Sequence, residues 1–209
     1  MLKASGRSDR TPVGRPDSLV FSFNGPQHQI LMLCQFELMN DESLGFTPID
    51  LGEHAELCVE FRLDSYVCSF GTTDKFYVDN TSEQGYLDWL CARMKDLPGS
   101  CVHLWRGAEI IGQLELERSR ASPEIGYVNL YYLVPKARGS GVSKRLDDYV
   151  CGFYANLGLN QARLNVSPSN DRAIRHYKKH GWQNRGPDPR HPEILLFEKA
   201  FGILQSRKH

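Results

Sequence analysis

No stretch of this 209-residue sequence is long and apolar enough to span a bilayer, which takes roughly 20 consecutive hydrophobic residues. The first residues hold no long apolar run of the kind that marks a secretory leader, so a cytoplasmic location and no membrane partner are expected. An excess of charge is also missing, since 25 Lys and Arg balance 25 Asp and Glu. Net neutrality supplies neither the basic footprint of a nucleic-acid binder nor an acidic tail. Cys34, Cys58, Cys68, Cys91, Cys101 and Cys151 include no Cys-x-x-Cys pair. They read as reduced, mostly buried thiols, and none is paired in the sequence with a histidine base. His176 and His180 stand one helical turn apart without an evident third ligand, so no metal site is expected. What is left is a chain whose length suits one soluble domain with a sizeable core.

The most informative segment is Arg138-Gly139-Ser140-Gly141-Val142-Ser143, placed between an apolar run ending at Pro135 and an amphipathic helix. Glycines permit close backbone approach, and a first helical turn leaves N–H groups unpaired at the positive end of the helix dipole. A bare Gly-x-Gly is also what an ordinary tight turn needs, so its context must decide. A dinucleotide fingerprint would put a glycine where Lys144 stands, and a P-loop would need Gly-Lys-Ser/Thr where the chain reads Ser143-Lys144-Arg145. Upstream, Val128-Asn129-Leu130-Tyr131-Tyr132-Leu133-Val134 reads as a buried strand. Downstream, Val142, Leu146, Tyr149, Val150, Phe153 and Leu157 recur at helical spacing, with Gly158 as a stop. Lys144, Arg145, Asp147 and Asp148 fall on the other faces and are expected to be solvated, with Lys144 or Arg145 free to reach a phosphate.

A second string follows a short strand, Ala162 to Val166, and a Ser167-Pro168-Ser169 turn. Asn170-x-x-Ala173-x-x-x-Tyr177-x-x-x-Gly181-Trp182 predicts a helix from Asn170 to about His180, capped by Ser169 or Asn170, with Lys178, Lys179 and His180 suiting its C-terminal dipole. Asn170, Ala173 and Tyr177 share a face. An amide, a small residue and a phenol suit a narrow polar channel better than a bland core.

Together the two strings resemble the GNAT superfamily of acyl-CoA N-acyltransferases. Its pyrophosphate loop reads Arg/Gln-x-x-Gly-x-Gly/Ala and its second signature ends Gly-Phe. Ser143 and Trp182 depart from that pattern while keeping small size and aromatic character. The resemblance covers roughly residues 44 to 200 and implies an α/β (α+β) GNAT fold: a central mixed, mostly antiparallel twisted sheet, helices on both faces, and a splayed central strand pair. It implies acetyl-CoA as donor, held by Leu133, Val134, Arg138, Gly139, Ser140, Gly141, Val142, Ser143, Asn170 and Tyr177. The open edge near Leu133 would take the pantetheine arm, which a β-bulge could free.

Residues 1 to 43 are expected to be an N-terminal extension with a mobile start and strands near 18–23 and 29–38; residues 44 to 209 form the acetyltransferase domain. Covering a sheet edge is the simplest role for the extension, with homodimerisation and shaping of the acceptor site as alternatives. Within the domain, a strand to about Leu51 precedes a helix to about Leu63, and Ser82 opens a second helix. Strands are expected at Cys101–Trp105, Glu109–Glu117, Glu124–Val134, Trp182–Arg185 and Ile194–Lys199. Tyr66, Phe70, Phe76 and Tyr77 fall in a connection that can wall an acceptor pocket or fill the core.

Acyl transfer to a primary amine by direct attack needs a proton removed from the amine, because free amines are largely protonated at neutral pH. It also needs an oxyanion donor and a proton for the departing thiolate. The resemblance implies that Tyr177 supplies that last proton. Many relatives carry an acid where this chain has Asn129, which cannot act as a base but can orient a water. Glu115, Glu117 and Glu124 are the carboxylates on neighbouring predicted strands, with Glu124 favoured. The acceptor, a small molecule or peptide amine, is not specified. The alternative is a CoA-binding sensor or interaction module without catalysis, favoured by Asn129 and opposed by Tyr177.

Overall fold

The computed structural model describes residues 43–201; the strands expected at 18–23 and 29–38 lie outside them. Seven strands form one twisted sheet in the order β1-β2-β3-β4-β5-β7-β6. They are β1 (Leu44–Pro48), β2 (Cys101–Arg106), β3 (Glu109–Arg118), β4 (Gly126–Leu133), β5 (Gln161–Val166), β6 (Gln183–Pro187) and β7 (Leu195–Ala200). Every pairing is antiparallel except β4 with β5. The helices are α1 (Leu51–Phe70), α2 (Asp74–Asn80), α3 (Glu83–Asp96), α4 (Ser143–Asn156) and α5 (Asp171–Lys179). No described helix is long and apolar enough to cross a membrane.

Two hydrophobic layers hold the helices to opposite faces of the sheet. Leu146, Val150 and Phe153 of α4 and Tyr177 of α5 pack with Leu114, Leu116, Val128 and Leu164 of the strands. On the other face Cys58, Val59 and Tyr66 of α1 pack with Phe76, Tyr86, Leu90 and Cys101. Asp50 and Ser82 cap α1 and α3 by accepting from Gly52 and Gly85 N–H groups, which satisfies donors that a helix start leaves open.

Helix α1 runs past the expected end at Leu63, so Tyr66 and Phe70 belong to its last turns and Phe76 and Tyr77 to the unforeseen α2. Tyr66 and Phe76 are buried while Phe70 and Tyr77 are exposed. Another difference concerns α4. Asp147, expected in solvent, is buried. Its carboxylate accepts from Trp182 Nε1 at 2.8 Å, Lys199 Nζ at 2.5 Å and the Tyr131 hydroxyl at 3.3 Å. Helical spacing places Asp147 beside the apolar stripe, but only the arrival of Trp182 and β7 supplies the partners a buried carboxylate needs.

Strand β4 fixes the shape of the molecule's centre. It pairs with β3 along its length, whereas with β5 only Gly126, Tyr127 and Val128 find partners. Beyond Val128 the two parallel strands diverge. The β3–β4 register shifts at the same level: Glu115 faces Leu130 and Leu116 faces Val128, so Asn129 is the extra residue of a β-bulge. At the closed end of the V, Gly126 leaves room for the Tyr154 ring, which lies 2.5 Å from where a Cβ would stand.

Candidate active site

The divergence of β4 and β5 opens a cleft of about 1060 Å³. Asn129, Leu133, Arg138, Gly139, Ser143, Asn170 and Tyr177 all line it, so both sequence motifs converge on one cavity. The loop leading into α4 explains why glycine is needed. Gly139 and Gly141 have φ of 82° and 85°, the left-handed region that side chains resist. Among the described residues no acceptor bonds the N–H groups of Gly141, Val142 and Ser143, and α4 starts without a side-chain cap. The loop therefore presents backbone donors at the positive end of a helix.

The other loop residues have duties within the protein. Arg138 donates through Nε to the Leu133 carbonyl at 2.7 Å and through NH2 to Asp64 at 2.6 Å, with its guanidinium over the Tyr132 ring. It thus ties the end of β4 to α1. Ser140 Oγ donates to the Ala137 carbonyl, and the Val142 side chain is core. The Val134 N–H is taken by the Ile111 carbonyl, and Val134 does not line the cleft. The open edge expected near Leu133 runs from Asn129 to Leu133, where β4 has no described β5 partner. Lys144 pairs with Asp148 on the surface, and Arg145 NH2 lies 3.5 Å from the Leu44 carbonyl.

Asn170 caps α5 by accepting from the Ala173 N–H at 3.1 Å, and its amide donates to Ser69 Oγ at 3.4 Å. Ser169 Oγ donates to the Ser69 carbonyl, so the α5 entry is fastened to the end of α1. Tyr177 is 8% exposed, and its hydroxyl bonds to no other described residue. Burial, then the nearby Tyr127, raises its pKa, which keeps the phenol protonated. Beside it His176 is pushed down to about 4, chiefly by burial and then by His180, so its imidazole is neutral at pH 7.

The three candidate carboxylates have different fates. Glu124, favoured from the sequence, is exposed and lies outside the cleft. Hydrogen bonds from Ser119 to Ile125, Ser122 to Ser119 and Ile125 to Ser122 fold residues 119–125 into a turn, so the strand starts only at Gly126. Glu115 is fully buried beneath α1 and α3, where it accepts from Tyr86, Gln113 and Arg62. Glu117 lines the cleft, with Arg93 NH2 at 3.4 Å.

Arg62 was not singled out from the sequence, yet it lines the cleft and donates from NH1 to the Asn129 carbonyl at 2.9 Å and to Glu115 at 3.2 Å. A signal existed. Cys58, Arg62 and Tyr66 share a face of α1, and an arginine between two apolar positions at spacing four must find a partner when that face is buried. Among the described residues no cluster of metal-ligating side chains occurs.

A family model for the acetyltransferase (GNAT) family matches residues 61–182, more than half of the chain. The chain belongs to that family, and its class is acyltransferase. No curated protein sequence matches it. Among solved structures it is similar to the PaiA N-acetyltransferase of Thermoplasma acidophilum in complex with coenzyme A. That similarity has a TM-score of 0.63 at 17% identity, over 76% of this chain and 99% of that one. It is also similar to the spermidine N-acetyltransferase of Vibrio cholerae in complex with CoA and spermine (TM-score 0.59, 14% identity, 78% and 98% covered). An aminoglycoside acetyltransferase in complex with coenzyme A gives a TM-score of 0.57 at 17% identity, with 76% and 95% covered.

Proposed function

We propose that this protein is an N-acetyltransferase that moves an acetyl group from acetyl-CoA to a primary amine by direct attack within a ternary complex. The observation that carries the reading is the meeting of a free helix start and an unpaired strand edge at one cleft. Ser143 lines the cleft, and no described acceptor bonds its N–H or those of Gly141 and Val142 before it at the helix start; β4 from Asn129 to Leu133 has no β5 partner among the described residues. A pyrophosphate fits the first and an amide-bearing pantetheine arm fits the second, since each supplies the groups that the backbone lacks. CoA in complexes of the structural neighbours supports the same assignment.

Acetyl-CoA supplies the activated acyl thioester when bound. The chain's own part is to hold, orient and exchange protons. Asn129 to Leu133 align the donor along the open edge, and a free N–H of that edge faces developing negative charge. Tyr177, protonated and with no hydroxyl partner among the described residues, donates to the departing sulfur. Glu117 is the one of the three candidate acids that lines the cleft, and it takes the amine proton through water, with Asn129 orienting that water.

The test is thiol release from acetyl-CoA with a panel of primary amines, including a polyamine and an aminoglycoside, the classes named for two neighbours. Acetylation of at least one amine is expected. Tyr177→Phe should keep CoA affinity while lowering kcat about 100-fold, the low end of general-acid contributions. A folded Tyr177→Phe variant with unchanged kcat and pH profile would remove Tyr177 from the chemistry. CoA binding without acetylation of any amine would favour the non-catalytic module.

A further inference from the structure

Two carbonyls of β4 near the bulge are met by side chains, each from a different face of the sheet. The Tyr127 carbonyl lies 2.7 Å from the Tyr154 hydroxyl of α4. The Asn129 carbonyl accepts from Arg62 NH1 of α1 at 2.9 Å. Tyr154 sits at the closed end of the V, where β5 still pairs; Arg62 acts at the residue where pairing has ended. Arg62 is itself held: the same NH1 lies 3.2 Å from Glu115, whose other oxygen accepts from Tyr86 at 2.6 Å and Gln113 at 2.8 Å. The side chain of Glu115 has no exposed surface and that of Arg62 is 14% exposed.

We propose that Arg62, locked by Glu115, is a positioning residue for acyl transfer: it pins the Asn129 carbonyl and so fixes the bulge and the open edge of β4. The kinetic half of this proposal rests on the function proposed above. The physical argument is one of register. A bulge is a place where a strand has two ways to pair, and losing the extra residue shifts every following side chain to the opposite face. Hydrophobic side chains resist such a shift at Leu130 and Tyr132, which pack with Phe61 on the α1 face. Asn129 has no such hold, because its amide nitrogen is buried without a partner among the described residues. The contact that fixes its backbone is the arginine. A single guanidinium can reach the carbonyl and the carboxylate together because it is planar and carries several donors; a lysine ammonium of similar reach is a point charge.

The test uses the full chain with Arg62→Met, Arg62→Lys and Glu115→Gln. Glu115→Gln can still accept from Tyr86 and Gln113 while withdrawing the charge that holds Arg62. In the ligand-free proteins, amide hydrogen exchange at residues 129–131 should quicken in Arg62→Met and less in Arg62→Lys, with β5 to β7 unchanged. With acetyl-CoA and an accepted amine, kcat of folded Arg62→Met should fall about 100-fold, the effect of displacing reacting groups by about 1 Å. KM for acetyl-CoA should rise with it, and Arg62→Lys and Glu115→Gln should be intermediate. A merely structural role would reduce the folded fraction and leave kcat per folded molecule unchanged. Wild-type exchange at 129–131 together with kcat within about twofold of wild type, in any of the three folded variants, would overturn the proposal. If Arg62→Met does not fold, the other two decide by the same readouts. If the wild type acetylates no amine, the proposed function fails, while exchange in the ligand-free chain still tests Arg62.

Discussion

The wall of the cleft built from the 138–143 loop and β4 offers backbone N–H groups that no described acceptor bonds and a strand stretch without a described neighbour. The wall built from α1 offers side chains whose charges are already taken. Among the described residues, Gly141, Val142 and Ser143 keep free N–H groups, and β4 beyond Val128 has no β5 partner. Across from them Arg62 is bound to Glu115 and Asn129, and Asp64 to Arg138 and Tyr132. The first wall can bind a ligand at little cost of rearrangement because its donors are preorganised. The second holds geometry, since any group drawn away from it leaves a buried partner unpaired.

Removing Glu115 should have the largest effect. Glu115→Ala leaves Arg62 buried and uncompensated, and breaking such a pair costs about 3 to 5 kcal/mol. Denaturant unfolding should show that loss; an effect below about 1 kcal/mol would mean the α1 wall is not held by its charges.

Acidification ranks next and touches both walls. His103, 1% exposed behind α1 and hydrogen-bonded to Gln113, is pushed by burial down to about 4 from 6.5. The unfolded chain takes up that proton near pH 6.5 and the folded chain only near 4. The unfolded state therefore holds more protons inside that window, and stability falls as pH drops from 6.5 to 4. It is level above the window and level again below it. The full amplitude for one imidazole is about 3 kcal/mol. His176, beside Tyr177 and also near 4, adds a similar slope. Unfolding measured against pH for His103→Gln and His176→Gln should assign a part of the slope to each wall.

On the donor wall, Gly141→Val should raise KM for acetyl-CoA about tenfold, because a side chain resists left-handed φ by about 1 to 2 kcal/mol. Stability should fall by about the same 1 to 2 kcal/mol and no further, since no atom lies within 4 Å of the added Cβ. A large stability loss with unchanged KM would make the loop a structural turn. The smallest effect is expected at Glu124. Glu124→Gln, exposed and off the cleft, should alter kcat/KM less than about twofold, within the usual reach of surface substitutions.

Legibility followed the same division. The glycine loop, the strand before it and the Asn170–Tyr177 face were readable because each answers a local demand: left-handed φ, a free helix start, a period of 3.6. Glu124 was misplaced because alternation cannot show where a turn ends and a strand begins. Asp147 and Arg62 were missed for a related reason. A charged residue beside an apolar stripe looks solvated until another element covers it.

The class of fold, the glycine loop and the helix that carries Tyr177 were written in local sequence, since backbone chemistry permits few residues at those positions. Which acids are engaged, where the bulge falls and what holds its carbonyl came from the fold alone. Those facts depend on partners far along the chain, such as Trp182, 35 residues from Asp147, and Arg62, 67 residues from Asn129. No local pattern encodes them; they arise when burial forces each polar group to find another.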